Sequence, residues 1–134
     1  MIYGIGIDII EASRIQQMLE KTPGLREDIF TFDEIKYCES KNNRHQHYAA
    51  RFCAKESFLK ALGTGLSEGM KFSDIEVFHN EDGHPGISLY GKAKELSLSK
   101  GISKILVSLA HIKDFAEAVV IIEKKDEIER IEEK

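Results

Sequence analysis

Apolar and polar positions along the chain recur with a changing period, and each change marks an element. Residues 2–10, IYGIGIDII, are rich in β-branched residues and punctuated by glycine, which predicts a strand ending near Asp8. From 11 to 21, Ala12, Ile15, Met18 and Leu19 fall on one helical stripe, closed by Thr22, Pro23 and Gly24. Thr31 and Glu34 have the spacing of a T-x-x-E capping box and predict a second helix over 32–40. A polar connector, Ser40 to Arg44, leads into a long helix from His45 to Leu62, with Gly63 and Gly65 as stop signals. The second half is mostly extended. Asp74 to His79 and Gly86 to Tyr90 predict a hairpin around the turn Asn80–Gly83. Residues 91–100 predict a short helix stopped by Gly101, and the apolar segments 103–110 and 115–123 flank a turn at Lys113 and Asp114. The order βαααββαββ, with strands clustered late, predicts an α+β fold in which an antiparallel sheet packs on the long helix, not a doubly wound parallel sheet. The domain is expected to span 1–124. Residues 125–134 form a charged tail in which only Ile128 and Ile131 keep helical spacing, expected to be a frayed, solvated helix.

Several polar residues break this pattern. On the long helix, Tyr48, Phe52, Leu59 and Leu62 share one arc, yet Lys55 lies inside that arc and Glu56 at its edge. Lys60 follows Glu56 by one turn. A carboxylate beside a core-facing stripe carries a desolvation penalty unless a positive group compensates it. Two readings are open. One is a surface Glu56–Lys60 pair with Lys55 snorkelling, worth about a few tenths of a kcal/mol. The other is a metal ligand at Glu56 with lysines reaching for phosphate. Asp8 ends the first strand behind Gly4 and Gly6, which permit close approach by another element. It either supplies charge to the first turn of the next helix or belongs to a site. Gly63, Thr64 and Gly65 read chiefly as a helix C-cap, and their backbone N–H groups also suit a phosphate. His45 and His47 are expected in solvent, and His84 in a surface turn. His111 ends the apolar run 107–111, either satisfied by backbone or placed for a ligand.

Length and composition narrow the classes. The 134 residues are 42% hydrophobic and 31% charged, ordinary for one globular domain. Nineteen basic against 23 acidic residues give a net charge of −4, which disfavours nucleic acid as a general partner. Cys38 and Cys53 form no CxxC pattern and read as small buried hydrophobes. No apolar run approaches the ~20 residues of a membrane span. The start lacks a basic n-region, so no signal peptide, no membrane association and a cytoplasmic location are expected.

Taken in order, GIGIDI at 4–9, FTFDEI at 30–35, RFCAKESFLKALGTG at 51–65, GHP at 83–85, VSLAH at 107–111 and FAEA at 115–118 closely resemble the holo-[acyl-carrier-protein] synthases. These are the short trimeric branch of the 4′-phosphopantetheinyl transferases, and the resemblance runs from Gly4 to Glu123. It implies transfer of 4′-phosphopantetheine from coenzyme A to a serine of apo-acyl carrier protein, with Mg²⁺ required and adenosine 3′,5′-bisphosphate released, in support of fatty acid biosynthesis. It makes Asp8 and Glu56 the metal positions and Lys60 the residue that neutralises phosphate charge. Lys60, His111 and, as weaker candidates, Lys55 and the Gly63–Thr64–Gly65 backbone would hold coenzyme A. Arg14 would meet the acidic carrier protein. Glu56 and a metal-bound water are both open as the base for the serine hydroxyl. A homotrimer with sites between subunits is implied. His84 and Ala110 depart from the Lys and Ser common in the family, which bears on cofactor affinity more than on reaction type. Two other readings stand beside it: a Mg²⁺-dependent nucleotide pyrophosphate hydrolase using Asp8 and Glu56, and a non-catalytic module that binds a helical carrier protein through Arg14.

Overall fold

Two glycines decide how the first strand meets the long helix. In a computed structural model that describes residues 1–67 and 69–126, strand β1 (Ile2–Glu11) lies directly against helix α4 (Arg44–Leu62). A Cβ at Gly4 would overlap the Ala61 carbonyl oxygen, and one at Gly6 the Ser57 carbonyl oxygen. The absent side chains let strand and helix backbones touch. Along the same face of β1, two residues on from Gly6, comes Asp8.

Between these two elements the chain forms α1 (Ala12–Lys21), a five-residue α2 (Leu25–Ile29) and α3 (Phe32–Glu39). The capping box at Thr31 and Glu34 is formed in both directions. Helix α2 is an addition to the predicted order; it starts at left-handed Gly24 and is too short to show a period. After α4, a 3₁₀ turn (Phe72–Asp74) leads to β2 (Ile75–His79) and β3 (Pro85–Leu89), the predicted hairpin. Helix α5 (Gly91–Ser99) and strands β4 (Ile102–His111) and β5 (Phe115–Lys124) complete the described chain. The main sheet is antiparallel in the order β1-β5-β4, with Ile7 opposite Val119 and Val107 opposite Val120. The architecture is the expected α+β class. The predicted frayed helix falls largely on residues 127–134, outside the described residues.

Helix α4 is more deeply set than a one-stripe reading implies. It contributes to both core clusters: Tyr48, Ala49, Ala50, Cys53 and Ala54 pack with Ile10, Ile15, Phe30, Ala116 and Ala118, while Phe58, Leu59, Ala61 and Leu62 pack with Ile75, Val120 and Ile122. Small residues face the sheet, where Ser57 Oγ donates to Ala118 O at 2.9 Å. Both cysteines are free and buried, and burial pushes each thiol up to about 12.

Lys55 corrects the sequence reading. Its side chain has no exposed surface, so it neither snorkels nor reaches a coenzyme. Its ammonium pairs with Glu34 at 2.8 Å and donates to the carbonyls of Phe72 (3.0 Å) and Ile75. The other Glu34 oxygen accepts the Val77 N–H at 2.9 Å. One buried ion pair thus ties the α3 cap, α4, the 3₁₀ turn and β2 together. Burial lowers the Lys55 pKa against the pull of Glu34. The apolar arc of α4 hides this because only the tertiary partners, 21 residues or so away in sequence, reveal it.

The β1–α4 contact predicts that Gly6→Ala destabilises the fold by roughly 1–3 kcal/mol, as overpacking does. Chemical denaturation checks this, and unchanged stability would contradict the contact.

Candidate active site

A helix turn of four residues rises about 6 Å, close to the roughly 6.7 Å of two strand residues. Gly4 opposite Ala61 and Gly6 opposite Ser57 therefore place Asp8 level with Cys53, at the turn of α4 that presents Glu56. Lys60, one turn on, reaches back along the strand. Its ammonium donates to the Ile7 carbonyl at 3.0 Å and pairs with Asp8 Oδ1 at 3.2 Å. Asp8, Glu56 and Lys60 line one groove of about 280 Å³ with Ile9, Ile10, Arg14, Met18 and Phe52.

The groove lining carries two carboxylates and two cations, and the ion pair formed among them is that of Lys60 with Asp8. Glu56 is half-buried, and its pKa is raised first by burial and then by the negative charge of Asp8, with Lys60 opposing. The Lys60 ammonium already pairs with Asp8 where a cation could sit. Two carboxylates, one of them under-compensated, suit Mg²⁺, which commonly takes one or two protein carboxylates and leaves its other positions to water and phosphate. Among the described residues no group of three or more His, Cys, Asp or Glu side chains is placed to hold a metal, so a Cys/His zinc site is not indicated there.

Other expected positions lie apart from this groove. Gly63 ends α4 in the left-handed region, its N–H bonded to Leu59 O at 2.9 Å, and Thr64 and Gly65 continue an exposed loop. His111 lies at the end of β4, in a separate apolar hollow with Ile9, Ala110, Ile112, Phe115 and Glu117. His84 is on the surface, paired with Asp82 at 2.8 Å. His47, expected in solvent, is half-buried: its ring meets His111 at 4.8 Å and Tyr37 at 5.6 Å, and burial, His111 and Arg51 lower its pKa to about 4.

Sequence reasoning passed over the neighbours of His47. The Arg51 guanidinium is buried over the Tyr37 ring at 4.0 Å, donates to His79 Nδ1 at 3.1 Å and leaves its Nε without a hydrogen-bond partner among the described residues. His79 stacks on the Tyr37 ring itself, with centroids 5.2 Å apart. The available signal was the spacing of Arg51 and Lys55, two cations one turn apart on an apolar helix face.

Residues 4–120 match the family model of the 4′-phosphopantetheinyl transferase superfamily. The chain belongs to that superfamily. The matched span includes Asp8, Arg14, Glu56, Lys60 and His111. A protein named holo-[acyl-carrier-protein] synthase from Geobacter sp. (strain M21) is 46% identical over 125 residues, 92% of this chain and 100% of that protein. The fold is similar to the crystal structure of holo-[acyl-carrier-protein] synthase from Neisseria meningitidis, with a TM-score of 0.85, 32% identity and coverage of 92% and 100%. It is also similar to the Helicobacter pylori synthase solved in complex with coenzyme A, with a TM-score of 0.78, 30% identity and coverage of 89% and 99%.

The geometry makes a titration prediction. In the metal-free protein, NMR should find Glu56 deprotonating above the ordinary glutamate range, and Asp8→Asn should lower its midpoint. Because folding raises this pKa, Glu56 makes stability fall as pH rises from the ordinary glutamate midpoint through the raised one. An ordinary midpoint that Asp8→Asn leaves in place contradicts the arrangement.

Proposed function

We propose that this chain transfers the 4′-phosphopantetheine group of coenzyme A to a serine of an apo-acyl carrier protein, yielding the holo-protein for fatty acid biosynthesis. The convergence of Asp8, Glu56 and Lys60 in one groove carries the reading, within a chain similar along most of its length to proteins named for that activity. Asp8 and Glu56 are the residues that would hold Mg²⁺. When bound, Mg²⁺ polarises a pyrophosphate oxygen and offsets charge developing on it.

The chain's own groups do the rest. The serine oxygen forms a bond to the phosphorus that carries the pantetheine arm, and the bond from that phosphorus to the bridging oxygen breaks. Adenosine 3′,5′-bisphosphate leaves with the bridging electrons. Lys60, extended from α4 into the groove, offsets the charge on the departing phosphate. Glu56 takes the serine proton directly or through one water. The exposed Arg14 at the groove's edge meets the acidic carrier protein and aims its serine inward.

The outer face of the sheet supports a homotrimer with sites between subunits. Ile5, Ile7 and Ile9 are 64%, 62% and 61% exposed, and Leu106 and Phe115 extend the same apolar surface. A face of this kind is unusual on a monomer and suits burial against further copies. His111, outside the Asp8 groove, and the Gly63–Gly65 loop would then hold coenzyme A at the junction. No helix among the described residues is long and apolar enough to cross a membrane. The free thiols Cys38 and Cys53 fit a reducing, cytoplasmic setting.

The test is the intact mass of an apo-acyl carrier protein incubated with this protein, coenzyme A and MgCl₂. One added phosphopantetheine is expected, lost with EDTA and reduced at least about 10³-fold in rate by Asp8→Ala. Cleavage of coenzyme A with the carrier unmodified would favour the hydrolase. Carrier binding that survives without any Mg²⁺-dependent reaction would favour the binding module.

A further inference from the structure

The ring of His111 stands at the end of β4 with its side chain exposed, a position where a histidine commonly turns freely. Here it is held. Its Nδ1 lies 2.9 Å from Gln46 Oε1. An amide oxygen only accepts, so Nδ1 carries the hydrogen. Asn43 Nδ2 donates to the same Gln46 oxygen at 3.3 Å. The His47 ring, tilted 65° to that of His111, packs against it. Gln46 and His47 sit in the first turn of a 19-residue helix that is anchored directly behind them by buried Tyr48 and Ala49. Ala110 beside His111 offers no hydroxyl that could share the work.

We propose that Gln46 is a positioning residue, accepting the Nδ1 hydrogen of His111 so that the protonated ring turns its Nε2–H outward to a phosphate oxygen of coenzyme A. The inference rests on the reading of His111 as a coenzyme contact. With Nδ1 engaged, Nε2 is the one site left for a ligand, and because a phosphate oxygen only accepts, the protonated ring makes that contact.

The test combines ¹⁵N NMR of the histidine rings with steady-state kinetics on the full chain. Neutral His111 should show the Nδ1–H tautomer in the unmodified protein. Gln46→Ala should shift it toward Nε2–H and raise KM for coenzyme A about five-fold, as loss of one hydrogen bond does, with kcat within about two-fold. Gln46→Glu keeps the acceptor and should restore both the tautomer and KM. A tautomer that Gln46→Ala leaves unchanged overturns the proposal. So does a shifted tautomer with unchanged KM, provided His111→Ala raises KM. If His111→Ala leaves KM unchanged, the coenzyme reading of His111 fails and the proposal falls with it.

Discussion

The candidate site depends on how closely β1 can approach α4. Gly4 and Gly6 remove the Cβ atoms that would strike the Ala61 and Ser57 carbonyls, so a strand and a helix touch backbone to backbone. The near match between two strand residues and one helical turn then brings the next same-face residue, Asp8, level with the turn that carries Glu56. Packing and chemistry are therefore one constraint. The contact that buries Cys53, Ser57 and Ala61 also forces two carboxylates together, and Lys60 crosses to the strand to offset them. The opposition between Asp8 and Glu56 is a cost to the metal-free fold that a cation would relieve.

Three cations along α4 show how environment, not residue type, assigns a role. Arg51 lies over Tyr37 and donates to a neutral ring nitrogen of His79. Lys55 is sealed in the core, where Glu34 and two carbonyls satisfy its three hydrogens, and it fixes the start of β2. Lys60 is half out of the groove and pairs with Asp8. Their spacing on the helix is nearly regular, yet of the three only Lys60 is open to solvent.

Much of this was legible in the sequence because it is local. The capping box at Thr31 and Glu34, the stop at Gly63, the hairpin after Ile75 and the small residues before Asp8 all act within a few positions, and each is present in the structure. The order of motifs from Gly4 to Phe115 placed the chain in its superfamily. What did not show was tertiary. Lys55 reads as a snorkelling lysine until its partner, Glu34, is seen to be the same residue that caps α3. His47 reads as solvated until β4 brings His111 beside it. Helix α2 is one turn long and leaves no periodic trace.

The groove around Asp8 and the hollow around His111 are separate in one chain, and the bare isoleucines of β1 lie next to both through Ile9. The most direct measurement is a crystal structure grown with coenzyme A and Mn²⁺ as an anomalous stand-in for Mg²⁺. The account predicts a metal peak ligated by Asp8 and Glu56, with the coenzyme running to His111 across a junction between copies. A metal held by other residues, or a coenzyme bound away from this groove, would contradict it.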